Sequence, residues 1–310
     1  MQTTKLNIGE RLMVSLMRGV AKLPLGFHYA MADFIGWLTG SVFRYRRDVV
    51  DINIARCFPE LKYRELDNIR KGFYKHFGDV VVESVWMTGI VGEKGLKKMH
   101  KAKMFEITNV AELNRIFLNS PSMMILSSHL GSWELFGGFE AGGYDPENPM
   151  EIRQKDLVAV YKELHSKFWN HVFDGARHGP FSHVKDFDGY VESNMVLRFA
   201  IKNRDRRLAY MFYTDQYPYG KAARIELDFL NQKTECMIGG AALACKLGYS
   251  VVYMKWARPE RGHYQVSFIP VCEDARTMTP EEIVKEYYRL LEENIKECPE
   301  LYLWSHKRWK

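Results

Sequence analysis

His129 and the glutamate five residues after it, Glu134, are the pair in this chain whose side chains can do acid–base chemistry. An imidazole changes protonation near neutral pH and can take a proton from a hydroxyl that is about to attack. A carboxylate in the first turn of a helix is favoured as the anion by the helix dipole. The spacing predicts that Glu134 reaches back to one ring nitrogen of His129. It would then fix the tautomer and steady the imidazolium that forms, leaving the other nitrogen for the substrate.

That prediction depends on the elements around the pair. Met123 to Leu126 is a short apolar run after Pro121 and reads as a buried strand. Gly131 permits a sharp bend, and Ser132 can cap a helix that carries Glu134 in its first turn. On one continuous helix five residues would turn the side chains roughly 140° apart, at about 3.6 residues per turn. The strand-to-helix corner is therefore what brings them together. The spacing alone is a weak signal that fits a strand-end histidine beside an unrelated glutamate better, and the surrounding residues must decide.

The chain of 310 residues, 46% hydrophobic and 26% charged, is long enough for one large α/β domain with a helical extension. Its five cysteines, Cys57, Cys236, Cys245, Cys272 and Cys298, are odd in number and contain no Cys-x-x-Cys pair. This argues for reduced thiols facing the cytosol and against a disulfide scaffold or zinc knuckle. Residues 1–47 hold seven basic residues (Lys5, Arg11, Arg18, Lys22, Arg44, Arg46, Arg47) against Glu10 and Asp33, so nearly all of the +6 net charge lies there. They also hold Leu12, Met13, Leu16, Met17, Phe34, Ile35, Trp37 and Leu38. Lys22, Pro24, His28 and Asp33 interrupt any run long enough to span a bilayer, and no cleavable signal follows. The expectation is a pair of amphipathic helices lying on an anionic membrane surface, followed by a single domain over 48–310. An ordinary helical layer on the core is the alternative.

Helical periodicity fills Val49 to Met87. Lys94, Lys97, Lys98, His100, Lys101 and Lys103 form a basic run, a solvated face or a dock for an acidic carrier or lipid phosphates. His165, His171, His178 and His183 lack the spacing of metal ligands, and no metal is expected. Leu157–Tyr161, Leu208–Tyr213, Arg224–Phe229, Val251–Trp256 and Tyr264–Ile269 read as strands. Ile238 to Lys246 and a stretch opened by Pro280 read as helices. Strands alternating with helices give a mixed, largely parallel sheet flanked by helices. The polar triplet Thr214-Asp215-Gln216 falls where such sheets put active-site groups.

Several ordered blocks resemble one family. His129-x-Gly131-x-Trp133-Glu134 after an apolar strand resembles the HX4(D/E) block of glycerolipid acyltransferases, in the variant of the late acyltransferases of lipid A biosynthesis. Asn53 to Glu60, Val160-Tyr161-Lys162, Thr214-Asp215-Gln216, Thr234 to Gly248 and the stretch from Cys298 to Lys310 resemble further blocks of that family. The resemblance implies transfer of a fatty acyl chain from an acyl carrier protein thioester, or coenzyme A, to a hydroxyl of a lipid A precursor. The place would be the cytoplasmic face of the inner membrane, with no cofactor besides the thioester. His129 would be the general base and Glu134 its partner. Lys162, standing where the family has arginine, and Asp215 would position the oxyanion, or form only a structural ion pair; lysine lacks arginine's planar fork. Lys307, Arg308 and Lys310 would hold lipid phosphates or snorkel at the interface.

Rival readings are the same chemistry on another glycolipid or aminolipid, and a non-catalytic lipid-binding protein of the same fold. A serine hydrolase is disfavoured because no Gly-x-Ser-x-Gly surrounds Ser127, Ser128 or Ser132. Nucleic-acid binding is disfavoured because the excess charge lies in an apolar segment.

Overall fold

The computed structural model describes residues 7–143, 147–162, 177–218 and 224–309. Five helices come first: α1 (Ile8–Val20), α2 (Leu25–Trp37), α3 (Arg47–Cys57), α4 (Tyr63–Met87) and α5 (Gly92–Lys101). A seven-stranded sheet follows, built from β1 (Phe105–Ile107), β2 (Met123–Ser127), β3 (Leu157–Tyr161), β4 (Tyr190–Glu192), β5 (Ala209–Tyr213), β8 (Ser250–Glu260) and β9 (His263–Cys272). Between β5 and β8 the short strands β6 (Arg224–Phe229) and β7 (Gln232–Met237) make a separate antiparallel hairpin. Among the described residues the remaining α-helices are α6 (Val110–Leu118), α7 (Phe139–Gly142), α8 (Val196–Lys202), α9 (Gly239–Leu247) and α10 (Pro280–Glu297).

The order across the sheet is β1-β9-β8-β2-β5-β3-β4, with only β8 and β9 antiparallel. The expected mixed, largely parallel sheet is therefore present. β2 lies inside it, parallel to β8 on one side and to β5 on the other, and all five of its residues are buried. A strand covered on both faces needs the unbroken apolar run that Met123 to Leu126 supplies.

The N-terminal helices divide in two. No residue of α1 is buried, and Ile8, Leu12, Met13 and Leu16 stand exposed. α2 instead lies close on α4: a Cβ at Gly78 would overlap the carbonyl oxygen of Ala32. Phe34, Trp37, Val42 and Phe43 of this layer remain exposed. Among the described residues no helix is long and apolar enough to cross a membrane.

A buried polar layer joins α2, α4 and the β8–β9 hairpin. Arg261 pairs with Asp79 and Asp33, and Arg258 pairs with Asp79. Glu83 accepts hydrogen bonds from Tyr29 (2.9 Å) and Tyr264 (3.0 Å). Burial, with the Asp79 charge adding to it and the tyrosine hydrogen bonds opposing, pushes Glu83 up to about 7 from its ordinary 4.5. The folded chain thus keeps a proton that the unfolded chain has lost between those values. The contribution of Glu83 to stability therefore falls as pH rises from about 4.5 to about 7. Glu83→Gln should flatten this slope, as read by urea unfolding at a series of pH values. An unchanged slope in the variant rejects the assignment.

Candidate active site

The site grows from strand register. β2 and β5 run parallel with Ser127 opposite Tyr213, so the residues two positions beyond each strand come side by side. These are His129 and Asp215. The Nδ1–H of His129 donates to Oδ1 of Asp215 at 2.8 Å, and the backbone N–H of His129 donates to Oδ2 at 3.0 Å. Both carboxylate oxygens are thus spent on one residue. Asp215 is 2% exposed, and burial alone would raise its pKa; the His129 ring charge and the two hydrogen bonds outweigh it and hold the carboxyl below its ordinary value.

Two adjacent tyrosines of α10 fix the strand ends from behind. Tyr287 donates to the carbonyl of Ser127 (2.7 Å) and Tyr288 to that of Thr214 (2.8 Å). On the other side His76 of α4 donates through Nε2 to the carbonyl of Gly131 at 3.2 Å, while Arg258 donates to its Nδ1. Burial, with Arg258 adding to it, brings His76 down to about 3, so it is neutral and keeps this tautomer. The corner carrying His129 is held from both faces.

Glu134 does not fill the role its spacing predicts. Trp133–Gly138 winds as a 3-10 helix and Ser132 makes no side-chain cap, so the expected first turn of α-helix is absent. Glu134 instead accepts from Arg177 at 3.0 and 3.3 Å, with its side chain only 9% exposed. Asp215, on Nδ1, takes the place beside a ring nitrogen that was expected for Glu134. The predicted Lys162–Asp215 pair is also not formed: Lys162 is exposed just beyond β3, and Asp215 is committed to His129.

Arg308 is another correction. It is 2% exposed, donating to the carbonyl of Glu235 (2.7 Å) and the hydroxyl of Tyr288 (3.0 Å), so it braces the β6–β7 hairpin against α10 rather than facing headgroups. Lys307 next to it is exposed. Lys310, His165 and His171 lie outside the described residues. Among the described residues no group of three or more side chains could hold a metal ion.

The segment from Pro299 to Trp309 lies across the His129 corner. Leu130 and Tyr302 form an antiparallel bridge, Gly131 donates to the carbonyl of Leu301, and Leu303 donates to that of His129, both at 3.1 Å. Asn53 of α3, itself buried, holds the segment by donating to the carbonyls of Trp304 (2.8 Å) and His306 (3.0 Å). Burial first, then the charges of His129, Arg308 and Arg46, bring His306 down to about 4 against the pull of Asp215. One imidazole near the pair is therefore kept neutral, while the other is seated on a carboxylate.

Around His129 stand the rings of Trp133 and Tyr213, each with its centroid 5.1 Å away, and the side chain of Gln216. With Nδ1–H given to Asp215, Nε2 carries the lone pair, and the His129 side chain is 19% exposed. The arrangement can deprotonate a hydroxyl. Arg177, Gln216 and His306 were not singled out as site residues from sequence. Gln216 and His306 stood within quoted blocks, and the signal for both was position: one follows the second strand end, the other a run of backbone partners for the first.

No individual curated protein matches the chain. A family model described as bacterial lipid A biosynthesis acyltransferase matches residues 4–310. That match covers nearly the whole chain, and the chain belongs to the bacterial lipid A biosynthesis acyltransferase family.

Proposed function

We propose that the protein moves a fatty acyl chain from an acyl carrier protein thioester to a hydroxyl of a lipid A precursor at the cytoplasmic face of the inner membrane. His129 acts as general base and Asp215 as its orienting carboxylate. The observation that carries this reading is the 2.8 Å bond between Nδ1 of His129 and a buried Asp215, which leaves Nε2 as the basic atom. An alcohol is a poor nucleophile, and a base within reach in the transition state is what it lacks. The Asp215 anion stabilises the imidazolium as it forms. Glu134 has the separate task of holding Arg177 at the edge of the site.

The exposed apolar side chains of α1, α2 and the turn after it, with Arg11, Arg18 and Arg44 among them, support seating on an anionic bilayer. A carrier protein thioester supplies the acyl group, with coenzyme A as the alternative donor, and no further cofactor enters.

The test is thiol release from acyl carrier protein thioester by the full chain, on anionic vesicles with and without a hydroxylated lipid A precursor, with products weighed by mass spectrometry. Acceptor-dependent thiol release and a product heavier by one acyl chain are expected. Trp37→Glu together with Phe43→Glu should cut vesicle binding and leave the fold intact. Acylation of an unrelated lipid in preference, or binding without any thiol release, overturns the reading.

A further inference from the structure

Acyl transfer through a tetrahedral intermediate needs a donor for the oxyanion, and of the two residues first expected there Asp215 is already committed. Asp215 is an anion bonded to His129, so it would repel an oxyanion rather than stabilise it. Lys162 stands exposed beyond β3. A side-chain donor beside the reacting nitrogen is supplied by Gln216, whose amide nitrogen lies 3.2 Å from Nε2 and 3.3 Å from Nδ1 of His129.

Those two nearly equal distances carry geometric information. An amide bonded in line to one lone pair would be close to that nitrogen and far from the other. A position equidistant from both, in the ring plane, would collide with the carbon between them. The amide nitrogen of Gln216 therefore lies over a face of the imidazole, and the in-plane lone pair of Nε2 stays open to a hydroxyl. Gln216 is half-buried and follows Asp215 directly, so the carboxylate that orients the ring and the amide that covers its face are set by one short stretch of backbone.

The geometry points to the side-chain amide of Gln216 as the oxyanion donor of the acyl transfer. The inference rests on the general-base reading of His129 given above. In the step, the acceptor O–H gives its proton to Nε2 while its oxygen bonds to the thioester carbon. The carbonyl π pair moves onto oxygen, and the resulting anion accepts a hydrogen bond from the Gln216 amide. Collapse restores the carbonyl and breaks the carbon–sulfur bond. The sulfur leaves as a thiol with the proton from Nε2, so ester and thiol account for every atom. A neutral donor suits this place, because a cation beside His129 would oppose formation of the imidazolium.

The test compares Gln216→Met, similar in shape without donors, and Gln216→Glu, the same shape with a negative charge, against the full wild-type chain. Thiol release with lipid acceptor gives kcat and KM. Inhibition by a long-chain alkylphosphonate, tetrahedral and anionic, is set beside inhibition by an uncharged thioether analogue of the donor. We expect kcat to fall by about 10²- to 10³-fold in Gln216→Met and at least as far in Gln216→Glu, with KM nearly constant. Phosphonate inhibition should weaken in step, and thioether inhibition should not change. Equal phosphonate binding by wild type and Gln216→Met, or a kcat within about 5-fold, overturns the inference while leaving the general base untouched. Undiminished turnover in His129→Ala overturns the general-base reading and this inference with it.

Discussion

Asp215→Asn should lower acyl transfer by about 10⁴-fold, while Glu134→Gln lowers it far less. The asparagine keeps the size of the side chain but only one of its two acceptor oxygens. Its amide oxygen can still take the backbone N–H of His129, which now meets Oδ2 at 3.0 Å. The NH2 group then faces Nδ1, which must accept rather than donate. The proton moves to Nε2, and the ring presents a donor where the reaction needs a base. The variant also loses the anion that would steady the imidazolium. Glu134→Gln costs an ion pair with Arg177 some way from the transferred proton and leaves the His129 tautomer intact. Thiol release with lipid acceptor, measured for both variants across pH, checks the contrast. A severe loss in Glu134→Gln beside near-normal turnover in Asp215→Asn would assign the orienting role back to the glutamate.

Gly131→Ala carries the largest expected effect on stability. The residue has φ of +72°, a region that costs an L side chain about 1–2 kcal/mol. Its added Cβ would also come within 2.8 Å of the Trp256 indole. Trp256 is fully buried and packed against the rings of Phe105 and Tyr264, so it has no room to yield. Overpacking of this kind costs about 1–3 kcal/mol, and the sum is about 2–5 kcal/mol. At roughly 2 °C per kcal/mol for a chain of this size, Tm should fall by about 4–10 °C. Activity should fall too, because the carbonyl of Gly131 and the amide of Leu303 hold the His129 corner from opposite sides. A thermal scan showing Tm within about 1 °C of wild type would mean the corner adapts more freely than this packing allows.

Much of the architecture was legible because the apolar runs are short and well bounded. Met123 to Leu126 reads as a strand and lies in β2, Leu157–Tyr161 is β3, and the Pro280 helix opens with a full capping box at Thr279 and Glu282. β7 was missed because Gln232–Met237 opens with four polar residues in a row and leans on β6 more than on its own pattern. His129 was legible from its place at a strand end. Its partner was not, because pairing across a parallel sheet depends on register, and one sequence does not state the register of β2 against β5. Spacing along the chain favoured Glu134; the 3-10 turn from Trp133 removed it from reach. Arg308 looked like a surface cation in a tail of basic residues, yet the β6–β7 hairpin and α10 close over it.

The backbone link between His129 and Leu303 joins points separated by more than half the polypeptide. Closing so wide a loop has a large entropic cost, and contacts of high sequence separation slow folding. Strands β2, β5 and β8 can associate before the Pro299–Trp309 segment arrives, whereas the cradle around the imidazole cannot. The chain therefore gains its shape before its chemistry, and a molecule halted short of that last docking would pass for native by its secondary structure while remaining inert.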